Sequence, residues 1–314
     1  MLDPRVETFL TVCQTMNFTR AAELLHITQP AVSQHIHTLE EQYNTKLFHY
    51  ENRQLSLTPS GKRFRQAAAT MRHDALRLKE LLPLDNRRLC FGATLTIGEY
   101  SMAAPLLRLL KEEPGVQLRM LTANTQELLS LLDQGEIDFA IVEGNFDRQA
   151  YESLTYATQR FIPVACPGYM FSGPAGELEG LLGERLLVRE PGSGTRNVLE
   201  RVLESRNLTV ENFLRVTELG SLDLIKELVM AGAGISFFYE PVVQRELKSG
   251  LLEEIPLRNW AVTHDFTFLW QRGSVFGEEY REIFNLLRPE SSPGGDFESH
   301  STKVSPGETI PENN

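Results

Sequence analysis

Two short helical patterns stand only a few residues apart between Thr19 and Tyr43, and that closeness dictates an angled helix pair. Thr19 stands where a cap would, with Ala22 and Leu25 on the apolar side. Thr28 then precedes Gln29-Pro30, a cap followed by a proline start, and Ala31, Val32, Ile36 and Leu39 repeat at helical spacing to about Tyr43. A first helix over 3–15 precedes both, capped by Asp3, opened by Pro4 and striped by Val6, Phe9, Leu10 and Cys13. Downstream, Leu47-Phe48 and Leu55-Ser56-Leu57 flank the turn Asn52-Arg53-Gln54, which predicts a small two-stranded wing. Residues 1–59 are thus expected to form a winged helix-turn-helix.

From Pro59 the period changes. Phe64, Ala68, Met71, Ala75, Leu78 and Leu82 recur at alternating steps of four and three, the seam of a coiled coil. A rod of roughly 23 residues would be about 35 Å long. The flanking Arg63, Arg65, Arg72, Arg77 and Lys79 give the opposite face little reason to be buried, so the seam is expected to join two copies of the chain. An ordinary amphipathic helix packed on its own domain is the alternative. Residues 60–88 are read as this helix and a hinge, with Pro83 ending the rod and Asn86-Arg87-Arg88 following.

Beyond the hinge, strand and helix patterns alternate. Strands are expected at 89–93, 116–121, 139–142, 161–165, 186–189, within the turn-and-strand run 232–238, and at 266–269. Helices are expected near 100–111, 125–132, from Thr195, over 221–230 and over 278–287. This rhythm predicts parallel sheets covered on both faces. About 200 residues in two such clusters suit two lobes around a cleft, lobe I over about 89–161 and 266–288, lobe II over about 162–265. The remainder, 289–314, is rich in Pro, Ser, Gly and Glu and is expected to be a disordered tail.

Charge narrows the partners. The net charge of -11 alone argues against nucleic acid, but residues 1–65 hold seven Lys/Arg and six Asp/Glu of the chain's 31 and 42, leaving 24 and 36 for the rest. The near-neutral head also carries His26, His35, His37 and His49, so a duplex would be held by a few local contacts, doubled in a dimer. Three distant cysteines, Cys13, Cys90 and Cys166, offer neither a disulfide framework nor a metal cluster. The opening MLDPRVETFL lacks the marks of a secretory peptide, and no stretch approaches about 18 uncharged apolar residues. A cytoplasmic protein that keeps clear of membranes, with no metal or cofactor, is expected. HExxH, GxSxG, P-loop and clustered Cys/His patterns do not occur, and Glu99 alone near Thr94–Thr96 is no mechanism, so an enzyme is not expected.

The run FLTVCQTMNFTRAAELLHITQPAVSQHIHTLEEQYNTKLF with the following LSLTPSG resembles the N-terminal domain of the LysR-type transcriptional regulators. GATLTIGEY, LTANTQELLSLLDQGEIDFAIVEG and ELGSLDLIKELVMAGAGISFF resemble the same family's co-inducer domain, so the likeness spans about residues 3–288. It implies an N-terminal all-α winged helix-turn-helix, a long linker helix and a C-terminal α/β two-lobed domain like a periplasmic binding protein. It further implies a homodimer or homotetramer on double-stranded promoter DNA, a small-molecule effector and RNA polymerase as a partner. The form GATLTIGEY is similar to regulators of sulfur or nitrogen assimilation and of inorganic-anion responses, which points to a small oxyanion. Departures from the family pattern are Gln34, His37 and Tyr50, where basic residues are common, and Asn44 in place of Gly.

The DNA-facing candidates are Thr28, Gln29, Pro30, Ser33, Gln34, His37 and the wing-tip Arg53. Early residues of a recognition helix lie nearest base edges. Gln can pair with adenine, and the N–H groups over Thr28–Ala31 suit a phosphate. The effector-facing candidates are Thr94, Thr96, Asn124, Thr125, Ser193 and Thr195, with Arg196 for charge assistance. They are hydroxyls and amides at strand–helix junctions that can hold a small oxyanion without a basic cage. A solute-binding protein without a regulatory role would share the two lobes but leave 1–82 unexplained.

Overall fold

The computed structural model describes residues 3–51, 54–82, 87–144, 146–174 and 176–289. Arg53, Pro83, Asn86 and the tail beyond Pro289, on which several expectations fall, lie outside the described residues. The head consists of α1 (Pro4–Thr15), α2 (Phe18–Leu25) and α3 (Gln29–Gln42), then the wing strands β1 (Phe48–Glu51) and β2 (Gln54–Leu57), paired antiparallel. Asp3 caps α1 through the Arg5 amide and Thr28 caps α3 through that of Ala31. The cap of α2 is not Thr19. Asn17 accepts from the amides of Thr19 and Arg20, which places Thr19 inside the first turn. Asn44 takes the left-handed conformation (φ 47°) that ends α3, as its tolerance for that region allows.

Phe9, Val12, Val32, Leu39 and Leu47 close the head's core, with Phe9 against Phe48 at 5.3 Å and edge-on to Phe64 at 4.9 Å. Phe64 belongs to α4 (Pro59–Leu81), whose start is locked to the head. Thr58 caps it by accepting from the Gly61 amide at 2.8 Å and donates to the Lys46 carbonyl at 2.7 Å. A Cβ at Gly61 would stand 2.0 Å from the Leu47 carbonyl oxygen, so only glycine permits this approach.

The expected seam of α4 divides. Phe64 and Ala68 are held in the head, whereas Met71, Leu78 and Leu82 are exposed in the single chain, at 59%, 49% and 76%. The opposite face is not solvated throughout, contrary to the expectation from its charges. Gln66 donates to the Gln149 carbonyl at 2.7 Å, Thr70 to that of Arg272 at 3.0 Å, and Arg72 to that of Asp133 at 2.6 Å. His73 meets the Ile137 carbonyl at 3.1 Å, and Arg77 reaches Asp138 and Glu279. Long cationic side chains serve here as fixed donors to a neighbouring domain, a use that charge counting does not reveal.

The second domain opens with β3 (Arg88–Ala93), α5 (Leu95–Tyr100), α6 (Ala103–Glu112), β4 (Gln117–Thr122), α7 (Thr125–Gln134) and β5 (Phe139–Val142). β3 pairs parallel with both β4 and β5. Next comes β6 (Tyr151–Ala165), a strand of 15 residues of which only the buried end, 161–165, was expected. Lobe II adds β7 (Arg185–Arg189), α8 (Gly194–Glu204), β8 (Arg215–Leu219), α9 (Leu222–Met230), β9 (Ser236–Tyr239), α10 (Glu240–Lys248) and the short β10 (Glu253–Glu254). The chain returns through β11 (Thr263–Gln271) and closes with α11 (Gly277–Leu287).

The larger sheet of the second domain is mixed rather than parallel. Its order is β10-β6-β11-β5-β3-β4, with β9 also on β6, and every pairing of β6 and β11 is antiparallel. A helical crossover joins parallel neighbours, whereas β6 and β11 enter the sheet without one. These two strands run from one lobe into the other, so the lobes share a continuous backbone ladder across the hinge. β7 and β8 form the parallel pair of lobe II. Phe139 stacks between Phe91 and Phe268 at 4.8 and 4.5 Å, centring the core of lobe I.

Candidate nucleic-acid interface and effector cleft

The caps and turns just described present α3 to solvent along one side. Val32, Ile36 and Leu39 face inward, while Thr28, Gln29, Pro30, Gln34 and His37 are exposed and Ser33 half-buried. The structure therefore brings these candidates onto one strip. Gln29 donates to Ser33 at 2.9 Å, Gln34 lies 3.5 Å from Thr38, and His37 lies 3.3 Å from Glu41, all weak or exposed contacts that a base edge or phosphate could replace. A groove of about 430 Å³ lies beside the strip, bounded by Asn17, Thr19, Gln29, Ser33 and Tyr50. Asn17, Thr19 and Tyr50 were not among the sequence candidates. Tyr50 is 72% exposed on the wing strand, so an aromatic ring and hydroxyl stand where the family pattern puts a cation.

The cleft assembles at the C-terminal ends of β3 and β5. Thr94 and Thr96 follow β3, Glu143 follows β5, and Thr125 opens α7. From the other lobe α8 points its N-terminus at them. Thr94, Thr96, Thr125, Ser193 and Thr195 are all buried. Thr96 donates to Glu143 Oε1 at 3.2 Å and lies 3.3 Å from the Thr195 hydroxyl, which is itself 3.5 Å from the same carboxylate oxygen. A Cβ at Gly194 would stand 2.4 Å from Glu143 Cγ, so glycine is what lets α8 close so tightly. Across the rim Tyr100 donates to Asp223 at 2.6 Å.

Two candidates are placed otherwise. Asn124 is exposed and spends its side chain capping α7 through the Glu127 amide at 2.9 Å. Arg196 is turned away into Glu200, Glu218 and the Arg189 carbonyl, each within 3.0 Å, and gives no charge to the cleft. Glu143 is the residue sequence reasoning missed. Burial pushes its carboxyl up to about 7, against the opposing pull of Thr96, Arg189 and Thr195. Its signal was a single acid at the end of the apolar run FAIVEG. The neighbouring His264, whose Nε2 meets the Glu143 carbonyl, is driven by burial toward its neutral form.

Among the described residues no group of three or more His, Cys, Asp or Glu could hold a metal ion. No described helix is long and apolar enough to cross a membrane.

Residues 5–62 match the family described as bacterial regulatory helix-turn-helix protein, lysR family, and residues 84–292 match the LysR substrate binding domain. The chain belongs to the LysR family. It is 32% identical to the HTH-type transcriptional regulator CfxR of Cupriavidus necator, over 83% of this chain and 84% of that one. It is 27% identical to the HTH-type transcriptional regulator CysL of Bacillus subtilis, over 84% and 89%. Among solved structures, full-length LysG from Corynebacterium glutamicum with bound effector Arg superposes with a TM-score of 0.61 at 20% identity, covering 92% of this chain and 100% of that one. LysR membership carries the coarse function: a DNA-binding regulator with an effector-binding domain.

Proposed function

We propose that this LysR regulator sets its occupancy of promoter DNA by holding a small oxyanion between its lobes, in the manner of the family branch that answers to inorganic anions. The observation that carries the reading is the contact of the buried Thr96 of one lobe with Thr195 at the N-terminus of α8 in the other, 3.3 Å apart beside Glu143, with the buried Thr94 and Thr125 at the neighbouring strand–helix junctions. Donors contributed by both sides make closure dependent on what lies between them, which is the differential affinity that effector control requires. The exposed Met71, Leu78 and Leu82 support pairing of two chains through α4, and further association of the two-lobed domains would give a tetramer. The strip from Thr28 to His37, together with Arg53, reads the operator, and the bound assembly meets RNA polymerase. The protein works in the cytoplasm, catalyses nothing and needs no cofactor.

The test is genome-wide site mapping with purified protein on sheared DNA at stated salt, with and without sulfate, sulfite, phosphate and nitrate. Discrete promoter sites whose footprints shift with one anion support the reading. Footprints identical under saturating anion sink effector control. Absence of specific sites would favour a solute-binding protein without a regulatory role.

A further inference from the structure

Three buried polar atoms at the cleft have no hydrogen-bond partner within the chain: Thr94 Oγ1, Thr125 Oγ1 and Glu143 Oε2. Their residues are at most 5% exposed. An unmet buried group costs roughly 1–3 kcal/mol, so three beyond the ends of the neighbouring strands β3, β4 and β5 call for a ligand that pairs with them. The hydroxyls and the α8 N-terminus suit acceptor oxygens, whereas Glu143 Oε2, if ionised, asks for a donor. The other oxygen, Oε1, already takes the Thr96 hydroxyl and lies within reach of Thr195, whose backbone amide also faces the carboxyl. Gly144, next to Glu143 in the chain, borders a separate cavity of about 260 Å³ with Arg148 and His264, which none of the three atoms lines.

A carboxylate and an oxyanion in contact cannot both stay ionised in such a place. We propose that the cleft binds a small oxyanion together with one proton, shared between the ligand and Glu143 Oε2, so that Glu143 selects an acid rather than a bare anion. A ligand that is never protonated at neutral pH receives the hydrogen bond from protonated Glu143; a weak acid brings the proton itself and donates it to the carboxylate. Either way the complex holds one proton and no charge pair of like sign. The other charged or titratable groups around Glu143 leave that count unchanged. Arg189 at the end of β7 is forked onto Glu190 at 2.7 Å, burial shifts His264 on β11 toward its neutral form, and burial drives the Tyr239 hydroxyl at the end of β9 further from ionising. The raised affinity of Glu143 for its proton, near neutral pH, makes the uptake observable.

This inference rests on the oxyanion reading of the cleft, and its test separates the two. The full-length chain is titrated calorimetrically with sulfate, phosphate and methylammonium at about pH 6, 7 and 8.5, each in two buffers of different ionisation heat. Sulfate is expected to bind with uptake of close to one proton at the highest pH, its Kd weakening about tenfold per pH unit above about 7. In Glu143→Gln the pH slope and the uptake should vanish while sulfate still binds. Should that variant fail to fold, the slope and proton count of the unaltered chain decide alone. Sulfate binding without a pH slope overturns the proposal, as does the failure of both anions at about pH 6. Methylammonium binding that Glu143→Gln abolishes would make Glu143 the counter-ion of a cation. Promoter footprints that ignore an anion bound with a proton would sink effector control and leave the proton-linked site standing.

Discussion

Tyr100 and Asp223 tie the two lobes together at the rim of the cleft: the phenol on α5 donates to the carboxylate on α9 at 2.6 Å. Lys226 adds to the tie, with its ammonium 4.8 Å from the Tyr100 ring centre and 3.2 Å from Asp223. The hydrogen bond to Tyr100 is the largest influence holding Asp223 below the usual carboxylate range, so the acceptor is charged at neutral pH. Charge-assisted bonds of this kind contribute about 1.5–3 kcal/mol when shielded, and less at a half-exposed rim. Tyr100→Phe should therefore open the lobes without unfolding either. Small-angle scattering is expected to show a larger maximum dimension for the two-lobed domain, and effector affinity should fall about three- to tenfold. An unchanged scattering profile would show that the rim contact does not set closure.

Arg77 anchors α4 to lobe I. Its guanidinium is 3% exposed, reaches Asp138 and Glu279, and lies 5.1 Å from the Tyr280 ring centre. Asp138 in turn accepts from the Cys90 amide at 2.7 Å, which ties the ion pair to the first strand of the domain. Arg77→Met keeps the stem's bulk and leaves Asp138 without its cation, while Glu279 retains Arg87 at 3.0 Å. Breaking such a pair from one side costs about 3–5 kcal/mol. Hydrogen exchange should accelerate over the second half of α4 and over Ile137–Phe139, while the amides of α1–α3 keep their protection. Equal protection in the variant would mean that the helix is held by its apolar contacts alone.

The head was legible because its ends are written in residues that act locally. Asp3, Thr28, Pro4 and Pro30 set helix starts without help from the rest of the chain, and the apolar stripes set their faces. The family resemblance then supplied the two-lobed plan. What stayed hidden depends on distant partners. The outer part of β6 alternates half-buried and exposed residues, a one-faced pattern of short polar and aromatic side chains that does not stand out until β11 pairs with it about 110 positions later. The face of α4 that bears Arg72 and Arg77 gave no sign of burial because its acceptors are carbonyls and acids of another domain. Glu143 is the same case at the site. Its neighbours Thr96 and Thr195 lie 47 and 52 positions away, one in each lobe. Asn124 and Arg196 misled for the opposite reason, since a cap and a set of nearby acids already satisfy them.

Exposed Met71, Leu78 and Leu82 lie along α4 at the seam spacing, and the head's own core already takes Phe64 and Ala68. Pairing of two chains should therefore depend on the distal part of the seam. Leu78→Asp puts a charge where a partner helix would lie and costs the single chain little, because the side chain is 49% exposed. Sedimentation equilibrium is expected to show the dimer dissociating at least tenfold more readily. Affinity for a palindromic operator should fall by more than affinity for one half-site. A variant that remains as tightly assembled as the parent would move the interface off α4.

Glu143 also makes a prediction about stability that needs no ligand. Its carboxyl is pushed up to about 7 from the ordinary 4.5, chiefly by burial. Below about pH 4.5 the folded and unfolded chains both hold the proton, and the group has no effect. Between there and neutrality the unfolded chain releases the proton while the folded chain keeps it, so the folded state loses about 1.4 kcal/mol per pH unit. The loss levels off above about pH 7 at about 3 kcal/mol. Glu143→Gln can still accept from Thr96 and has no proton to lose. Its melting temperature should match that of the parent near pH 4.5, rise above it steadily toward neutrality and stay above it by a constant margin beyond. A margin independent of pH would mean that the substitution acts through packing against Gly194. A parent that is the more stable at pH 8 would place the charged carboxylate in a better-solvated site than its 3% exposure indicates.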